Sequence, residues 1–361
     1  MSSADRMTHP CPLQVLGTGT ALPGPALTTD EILTRVKSYM SPSASAVARR
    51  VARRLKITTR YLSRDLAAPL ESVRSGDSGP QLAGRALRQA IVQAGQEQAS
   101  IDFLIGHTAT PHTLIPSNTA WIADELQFPG PHVELRQACT GFAAAYLLAT
   151  GLCSSGFARI AIAGSETGSV YFDPRRHAED PGQLVNLVQM GDGAGAIILG
   201  PLTDESASHI ERPFFGSAGI GRAPGLMLTQ GGSGAPQVTA GSVATFSHRH
   251  EDIKTHGVGL LRASLDAACE AGVDLATVDW YLPHQANGRM AEICATHLGL
   301  PRERVICEAG TVGNLGSAAI WVALDRVRRS GRLAVGDRLL VLGAEATKYL
   351  YGGFLYVHGP T

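Results

Sequence analysis

Short apolar runs alternate with longer amphipathic stretches along most of the chain. Runs of this length, rich in β-branched residues, predict buried strands. They are "IDFLIG" (101–106), "RIAIAG" (159–164), "GAIILG" (195–200), "VDWYLP" (278–283), "RVIC" (304–307), "RLLVLG" (338–343) and "GFLYVH" (353–358). Apolar residues recur every three or four positions between them, which predicts helices. Strands that alternate with helices indicate an α/β fold.

Helices are predicted where apolar residues share one face. A helix from about 317 to 330 places Ile320, Ala323, Leu324 and Val327 inward and ends at Gly331 as its C-cap. Three other helices carry the apolar sets Leu82, Ala86, Ala90 and Ile91; Val258, Leu261, Leu265 and Cys269; and Met290, Ile293, Cys294, His297 and Leu298.

Two distant segments share one local pattern. "ARIAIAGSET" (158–167) and "DRLLVLGAEAT" (337–347) both contain a strand followed by Gly, a small residue, Glu and a small residue. The region 203–250 between them has the weakest periodicity. We therefore expect two similar halves, residues 1–205 and 206–361.

Charge and hydropathy exclude several classes of function. The 31 basic and 31 acidic residues give a net charge of zero, which argues against a general nucleic-acid binder. No apolar run reaches membrane-spanning length, and the N-terminus "MSSADRMTHPCPLQ" lacks a signal-peptide pattern. The expectation is a cytoplasmic protein with no nucleic-acid or membrane partner.

Two glycine-rich stretches invite comparison with a dinucleotide-binding loop. Neither Gly17, Gly19 and Gly24 nor the stretch 191–195 matches G-x-G-x-x-G with an acidic residue at the right distance. We expect these glycines to permit tight turns and close packing.

The cysteines are scattered, without metal-ligand spacing, so we expect free thiols and no metal site. Cys139 lies in "VELRQACTGFAAAYLLATGL" (133–152), at the turn between a predicted strand and a predicted helix. The partial positive charge of a helix N-terminus lowers the pKa of a nearby thiol, which suits a nucleophile. A structural buried cysteine is the commoner alternative.

Two more polar residues lie at equivalent junctions. His284 follows an apolar strand and a proline in "DWYLPHQANGRMAEICATHLGL" (279–300). Asn314 lies among glycines in "EAGTVGNLGSAAIWVALD" (308–325), where a backbone can approach a ligand closely. A capping histidine and a turn asparagine are the plain alternatives, but three such junctions favour one shared site.

The segments "QACTGF", "PHQAN" and "GNLGSAA" resemble, in chain order, the active-site segments of the β-ketoacyl-acyl-carrier-protein synthase III group of the thiolase superfamily. The resemblance extends to "GSETG" (164–168), "GDGAGAIILG" (191–200) and "LGTGTALPG" near the N-terminus, and so covers nearly the whole chain. It implies an α/β, thiolase-like, five-layered αβαβα fold made of two similar halves, in a homodimer.

The resemblance also implies the chemistry. Cys139 would accept an acyl group from acyl-CoA or an acyl-carrier protein, and His284 and Asn314 would donate hydrogen bonds to the carbonyl of a second thioester. Loss of carbon dioxide from malonyl-CoA or malonyl-carrier protein would then give the carbanion that attacks the acyl group. No metal or redox cofactor is implied.

Substrate-binding residues follow from the same resemblance. The segment "HTATPHTLIP" (107–116) would form the floor of the acyl pocket and cross a dimer interface, with Leu114 and Ile115 as pocket residues. The basic segment 46–65 is expected to be an amphipathic helix in which apolar residues recur every fourth position, and Arg54 and Arg60 would grip CoA phosphates or an acidic carrier protein. A solvated basic face is the alternative.

The chain departs from the family at two places. The usual glycine-rich C-terminal loop is "GAEATKYLYGG" (343–353), with Thr347 and Lys348 at glycine positions, and the N–H of Thr347 is a candidate second oxyanion donor. Val170 stands where an arginine normally contacts CoA. These differences favour a specialised member over the initiator of fatty acid synthesis.

Three other functions remain open on the sequence. A specialised relative could transfer the acyl group to a hydroxyl, amine or β-ketoacyl acceptor, although Asn314 favours carbon–carbon bond formation. A non-catalytic partner subunit of a ketosynthase heterodimer would have the same fold, but such chains typically lose the nucleophile. A papain-like protease also has Cys, His and Asn in this order, but the repeated junctions do not fit it.

Overall fold

The computed structural model describes residues 10–67, 76–171, 173–178, 180–228, 230–236, 244 and 246–360. The strands are β1 (Leu13–Ala21), β2 (Leu27–Thr28), β3 (Thr59–Arg60), β4 (Phe103–His107), β5 (His132–Leu135), β6 (Ile160–Glu166), β7 (Gly193–Pro201), β8 (His209–Ser217), β9 (Leu226–Leu228), β10 (Phe246–His248), β11 (Trp280–Pro283), β12 (Arg338–Glu345) and β13 (Leu350–Val357). The helices are α1 (Thr29–Arg35), α2 (Pro42–Leu55), α3 (Gly79–Gln93), α4 (Asn118–Leu126), α5 (Gly141–Ser154), α6 (Gly182–Gln189), α7 (His250–Glu270), α8 (Met290–Leu298), α9 (Ala309–Val312) and α10 (Ala319–Arg329).

The main sheet consists of two matching parts. Its order is β11-β12-β13-β8-β1-β7-β6-β4-β5, and β1 meets β8 through two residue pairs, Leu13 with Ile210 and Gln14 with His209. Outward from this seam each part has two antiparallel pairings followed by a parallel one, and the first part then adds β5 parallel to β4. The strands β6 and β12, which carry the repeated sequence pattern, hold equivalent places. The predicted α/β fold of two similar halves is therefore confirmed, and the boundary at 205 stays a prediction within the link between β7 and β8.

The apolar cores divide the molecule into five layers. Helices α5 and α10 form the central layer, where their buried side chains meet strands of both halves in one cluster. Helices α3 and α4 cover the outer face of the first half, and α7 and α8 cover that of the second. This is the αβαβα arrangement that the resemblance implies. No helix in the described part of the chain is long and apolar enough to cross a membrane.

Three predictions, one about a strand and two about the faces of α7 and α8, need correction. The run "RVIC" is not a strand, because Val305 makes a single bridge to Tyr281 after a turn of 3₁₀ helix. Cys269 and His297 are exposed, although the expected faces of α7 and α8 include them. Cys269 directly follows the buried Ala268 and His297 directly precedes the buried Leu298, so each lies at the edge of the buried stripe of its helix.

Helix α2 buries a different face from the one that its larger apolar residues suggest. Ala44, Ala48 and Ala52 are buried against a cluster that includes residues of α6, while Val47 is 42% exposed. Alanine lets two helices approach closely, so the small residues take the interface and the valine remains at its edge.

The glycines of β1 allow close packing, as expected. A Cβ atom on Gly17 would lie 2.2 Å from the Ala90 carbonyl oxygen, and one on Gly19 would lie 2.1 Å from that of Ala86. Helix α3 therefore rests directly on the backbone of β1. These glycines are packing positions of a strand, not a dinucleotide loop.

Candidate active site

Two of the three proposed catalytic residues follow strands that have a parallel neighbour. Cys139 lies between β5 and α5, and His284 directly follows β11. Strand β4 is parallel to β5 and β6, and β11 is parallel to β12. Parallel strands bring their carboxyl ends to a common edge. Each half therefore delivers its polar residues to one edge of its own part of the sheet.

Cys139 is partly exposed, and its thiol is not activated in the way that its helix predicts. Burial of the surrounding site raises the pKa of the thiol well above its usual range, and the carboxyl groups of Glu345 and Glu166 raise it further. Burial and the two carboxyl groups therefore outweigh any lowering of this pKa by the N-terminus of α5, so the thiol does not have the low pKa that its position predicts. A carboxylate at a helix N-terminus offsets the positive end of the helix dipole.

Glu345 binds the residue that follows the nucleophile. Its carboxyl group is buried, with Oε2 accepting hydrogen bonds from Thr140 N at 2.9 Å and Thr140 Oγ1 at 2.7 Å. The Thr347 hydroxyl donates to Oε1. Sequence reasoning missed this residue, although the repeated Gly, small residue, Glu pattern marked it.

Glu166 makes the matching contacts from the other half. Its Oε2 accepts hydrogen bonds from Ser317 N at 3.0 Å and Ser317 Oγ at 2.8 Å, and the Thr110 hydroxyl donates to Oε1. Burial raises the pKa of this carboxyl group despite those donors. Ser317 Oγ also lies 3.3 Å from the carbonyl oxygen of Gln137, so the segment after Asn314 contacts the segment before Cys139.

His284 is buried and neutral. Its backbone N–H donates to the Leu342 carbonyl at 2.7 Å, which ties it to β12. Burial lowers the pKa of the imidazole to about 4. Among the described residues Nδ1 has no hydrogen-bond partner. A buried polar atom without a partner is costly, so this nitrogen is suited to a bound molecule.

Asn314 is held by its backbone and by one end of its side chain. Its N–H donates to the Gln189 carbonyl at 2.8 Å, and its own carbonyl accepts from Gly191 N at 3.0 Å. Oδ1 accepts from Gly316 N at 3.0 Å. The amide NH₂ therefore points away from that turn, as a donor to a carbonyl oxygen requires.

The structure thus links the three predicted segments. The Cys139 turn is joined to the end of β12 through Glu345 and to the Asn314 segment through Ser317, while His284 is bound to β12. Their catalytic roles remain predictions.

Leu114 and Ile115 lie on the loop between β4 and α4, with 59% and 90% of their surfaces exposed. Thr110, in the same loop, binds Glu166 and so anchors its first part beside the site. An exposed apolar tip is the position from which a residue could enter the pocket of a second subunit. Its role stays a prediction.

The two predicted arginines lie in different environments. Arg54 is exposed on α2, whereas Arg60 is fully buried, with Nε donating to the Leu187 carbonyl at 3.1 Å and Nη1 to Thr29 Oγ1 at 3.2 Å. Burial lowers the pKa of Arg60 to about 10. Arg60 is thus buried in the core of this structure, and its expected contact with CoA phosphates or a carrier protein stays a prediction.

The residues that replace the family's glycine-rich loop, Thr347 and Lys348, lie in the turn between β12 and β13. Gly225 N donates to the Ala346 carbonyl at 3.1 Å, and the Lys348 ammonium donates to the Arg222 carbonyl. Tyr349 is buried with a left-handed φ of 57°. The turn is therefore tied to the segment after β8 by contacts that a flexible glycine loop does not need.

A cavity of about 500 Å³ opens elsewhere, between α3 and α4, with Arg88, His112 and Trp121 in its lining. None of its lining residues belongs to the segments of Cys139, His284 or Asn314. We therefore locate the candidate site by the side chains of Cys139, His284 and Asn314 and not by this cavity.

Fold and site together define a class. A five-layered αβαβα molecule with Cys139 before its central helix, and with His284 and Asn314 on the other half, has the architecture of the thiolase fold.

Family comparisons make this more specific. The model of 3-oxoacyl-[acyl-carrier-protein] synthase III matches residues 133–219, and the model of its C-terminal part matches residues 269–354. The β-ketoacyl-[acyl-carrier-protein] synthase III of Laribacter hongkongensis is 30% identical over 350 residues, which cover 95% of this chain and 97% of the relative. That of Hyphomonas neptunium is 30% identical over 332 residues, covering 90% and 93%. The chain belongs to the β-ketoacyl-acyl-carrier-protein synthase III family.

Solved structures show the same fold. AbyA1, described as a tetronic acid condensing enzyme, has a TM-score of 0.81 and 25% identity, with 96% of this chain and 99% of AbyA1 covered. The priming β-ketosynthase of the R1128 polyketide pathway has a TM-score of 0.79 and 24% identity, with 99% of both chains covered.

Proposed function

We propose that the chain transfers an acyl group from acyl-CoA or an acyl-carrier protein to Cys139 and condenses it with a malonyl-type thioester. The main support is the neutral, buried His284, whose Nδ1 lacks a partner among the described residues. A neutral imidazole can accept a proton at one nitrogen and donate a hydrogen bond from the other, and the proposed reaction uses both properties.

In the first half-reaction the Cys139 sulfur attacks the thioester carbonyl. The new bond joins this sulfur to the acyl carbon, and the bond from that carbon to the CoA or carrier sulfur breaks. His284 accepts the thiol proton and returns it to the leaving thiolate. Because the pKa of Cys139 is raised, transfer of this proton is a necessary part of the step.

In the second half-reaction a malonyl thioester replaces the leaving thiol. Its carbonyl oxygen accepts hydrogen bonds from His284 and from the Asn314 amide, which stabilise the enolate as carbon dioxide leaves. The enolate carbon then attacks the acyl carbon on Cys139, and the cysteine sulfur leaves as a thiolate that takes a proton from solvent. The product is a β-ketoacyl thioester.

The proposal includes a homodimer in the cytoplasm without a metal or redox cofactor. Arg54 lies exposed on α2, where it can meet a CoA phosphate or an acidic carrier protein. The exposed Leu114 and Ile115 would enter the acyl pocket of the partner. The N–H of Thr347 remains the candidate second oxyanion donor.

A second candidate is condensation with, or transfer to, an acceptor without a carboxylate. Glu345 favours it, because this carboxyl group lies beside the nucleophile where the family has a glycine-rich loop, and like charges repel. The structural similarity to AbyA1, described as a tetronic acid condensing enzyme, fits a specialised condensation.

Intact-protein mass spectrometry tests both candidates. The protein is incubated with acyl-CoAs of increasing length, with and without malonyl-CoA or malonyl-carrier protein, and Cys139→Ala is the control. A mass gain that is absent from the variant and is discharged by malonyl as a β-ketoacyl product supports the first candidate. An acyl-enzyme that ignores malonyl supports the second. Equal labelling of Cys139→Ala would contradict both.

A further inference from the structure

Each half of the molecule supplies a glutamate to the other half. Glu166 ends β6 of the first half and binds Ser317, at the start of the central helix segment of the second half. Glu345 ends β12 of the second half and binds Thr140, at the start of α5 in the first half. In both contacts one carboxylate oxygen accepts from the N–H and the hydroxyl of the same residue.

The backbone is shaped to admit these carboxylates. A Cβ atom on Gly316 would lie 2.5 Å from Glu166 Oε2, and Gly316 has a left-handed φ of 50°. In the second contact the Thr347 hydroxyl donates a hydrogen bond to the other carboxylate oxygen of Glu345. Both carboxyl groups are therefore buried and fully engaged in hydrogen bonds within the site.

The two glutamates bind residues at different sequence separations from the proposed catalytic residues. Glu166 binds three residues after Asn314, whereas Glu345 binds the residue directly after Cys139. The Glu345 carboxyl group thus meets the helix N-terminus whose N–H groups would otherwise face the thiol.

We propose that Glu345 is a positioning residue for Cys139, which fixes the first turn of α5 through Thr140 and masks the thiol with a negative charge until an acyl thioester enters the site. The masking follows from electrostatics, because a carboxylate beside a thiol opposes formation of a thiolate. In the resting enzyme the proton stays on sulfur, and it leaves only when His284 and the substrate carbonyl are both in place. This inference rests on the proposed role of Cys139 as the nucleophile.

The test separates charge from shape with two variants. Glu345→Gln keeps an oxygen that can accept from Thr140 but removes the charge, whereas Glu345→Ala removes both. Glu303→Gln is the matched control, because Glu303 is an exposed glutamate. Thermal unfolding of each variant first confirms that it is folded.

The effect of the Glu345 charge on Cys139 is measured by the rate of alkylation with iodoacetamide. This reaction needs no acyl donor. The rate at Cys139 is followed from about pH 6 to pH 10.5, a range that brackets an ordinary thiol pKa of about 8.5. The tryptic peptide 137–159 contains both Cys139 and Cys153, so fragment ions assign the label and Cys153 serves as an internal control.

Glu345→Gln is expected to move the alkylation profile of Cys139 to lower pH by about 1 unit or more, as for loss of a close like charge. The labelling rate at pH 7 then rises about tenfold, because one pKa unit changes the thiolate fraction tenfold. The profile of Cys153 and that of Glu303→Gln stay unchanged.

Shape is tested by acyl transfer to Cys139. Glu345→Ala is expected to lower this rate on the order of 10–100-fold, since misplacing a reacting group by about 1 Å costs about 100-fold. Glu345→Gln is expected to restore most of that loss.

Coincident alkylation profiles for wild type and Glu345→Gln would overturn the masking role, and an unimpaired Glu345→Ala would overturn the positioning role. Failure of the proposed function has a different signature. In that case wild type accepts no acyl group, while the alkylation profiles still report the charge.

Discussion

At the scale of single residues, the site combines groups whose protonation differs from that of free side chains. His284 stays neutral because burial lowers its pKa to about 4, and Cys139 holds its proton because burial and two carboxyl groups oppose a thiolate. If these two groups are the base and the nucleophile of the proposed reaction, they rest in their uncharged forms, a state that substrate binding can change.

The depressed pKa of His284 predicts how stability depends on pH. In the unfolded chain an imidazole binds a proton near pH 6.5, whereas in the native state it does so only near pH 4. This contribution is therefore fully present above pH 6.5 and is lost as pH falls toward 4. Urea unfolding at pH 7.5 and pH 4.5 should show a loss about 2–3 kcal/mol smaller in His284→Gln than in wild type.

His107 is the matched comparison for that measurement. It is also buried, with a pKa lowered to about 3, and the Trp321 indole donates to its Nε2 at 2.9 Å. His107 remains in the His284→Gln variant, so the difference between variant and wild type belongs to His284. Equal pH dependence in both proteins would contradict the assignment.

Sequence reasoning correctly placed three polar residues at junctions between elements, while their catalytic roles stay predictions. Cys139, His284 and Asn314 each lie where a strand or turn gives way to a helix, and such places are visible in hydrophobic periodicity. Arg60 shows the limit, because a basic run does not reveal which arginine turns inward. The contact of Glu345 with Thr140 joins residues 205 positions apart, which no local pattern encodes.

At the scale of elements, close contact between helix and strand fixes the layers. Helix α3 rests on β1 through glycines, and α2 packs through alanines. The order of strands and helices was predictable because alternation of apolar runs is strong. The face that α2 buries was not predictable. The apolar pattern gives the period of the helix, but it does not give the distance between α2 and the helix that packs against it.

Gly19 offers a test of this packing. A Cβ atom there would lie 2.1 Å from the backbone carbonyl oxygen of Ala86, which cannot move without shifting α3. Gly19→Ala should lower the free energy of unfolding by about 1–3 kcal/mol or more, as measured by urea denaturation.

Gly151→Ala is the control for that variant. Gly151 lies in α5 with no atom within 4 Å of the added Cβ, so the change should raise stability by about 0.5–1 kcal/mol. A Gly19→Ala protein as stable as wild type would show that α3 can withdraw from β1.

At the scale of the whole molecule, the exposed loop tip carries the proposed dimer contact. Ile115 is 90% exposed in the single chain, an unusual position for a large apolar side chain next to the equally apolar Leu114. Sedimentation analysis should give twice the mass of one chain for wild type. Ile115→Glu should shift the equilibrium toward monomer and weaken acylation by long-chain donors.

Val335→Glu is the control for this experiment. Val335 is 67% exposed on the segment before β12, whereas Ile115 lies on the loop after β4. This variant should sediment as wild type does. A monomeric wild type, or an unaffected Ile115→Glu, would contradict the proposed contact.

The crossed glutamates have a consequence for the integrity of the enzyme. Glu166 and Glu345 each brace the helix of the opposite half, while β1 and β8 share two residue pairs. In each half, the segment next to a proposed catalytic residue is bound by a glutamate from the other half. A fragment corresponding to either half is therefore expected to be inactive even if it folds. Reassembly of the two fragments would restore both braces at once, and catalytic activity would then report directly that the halves have docked.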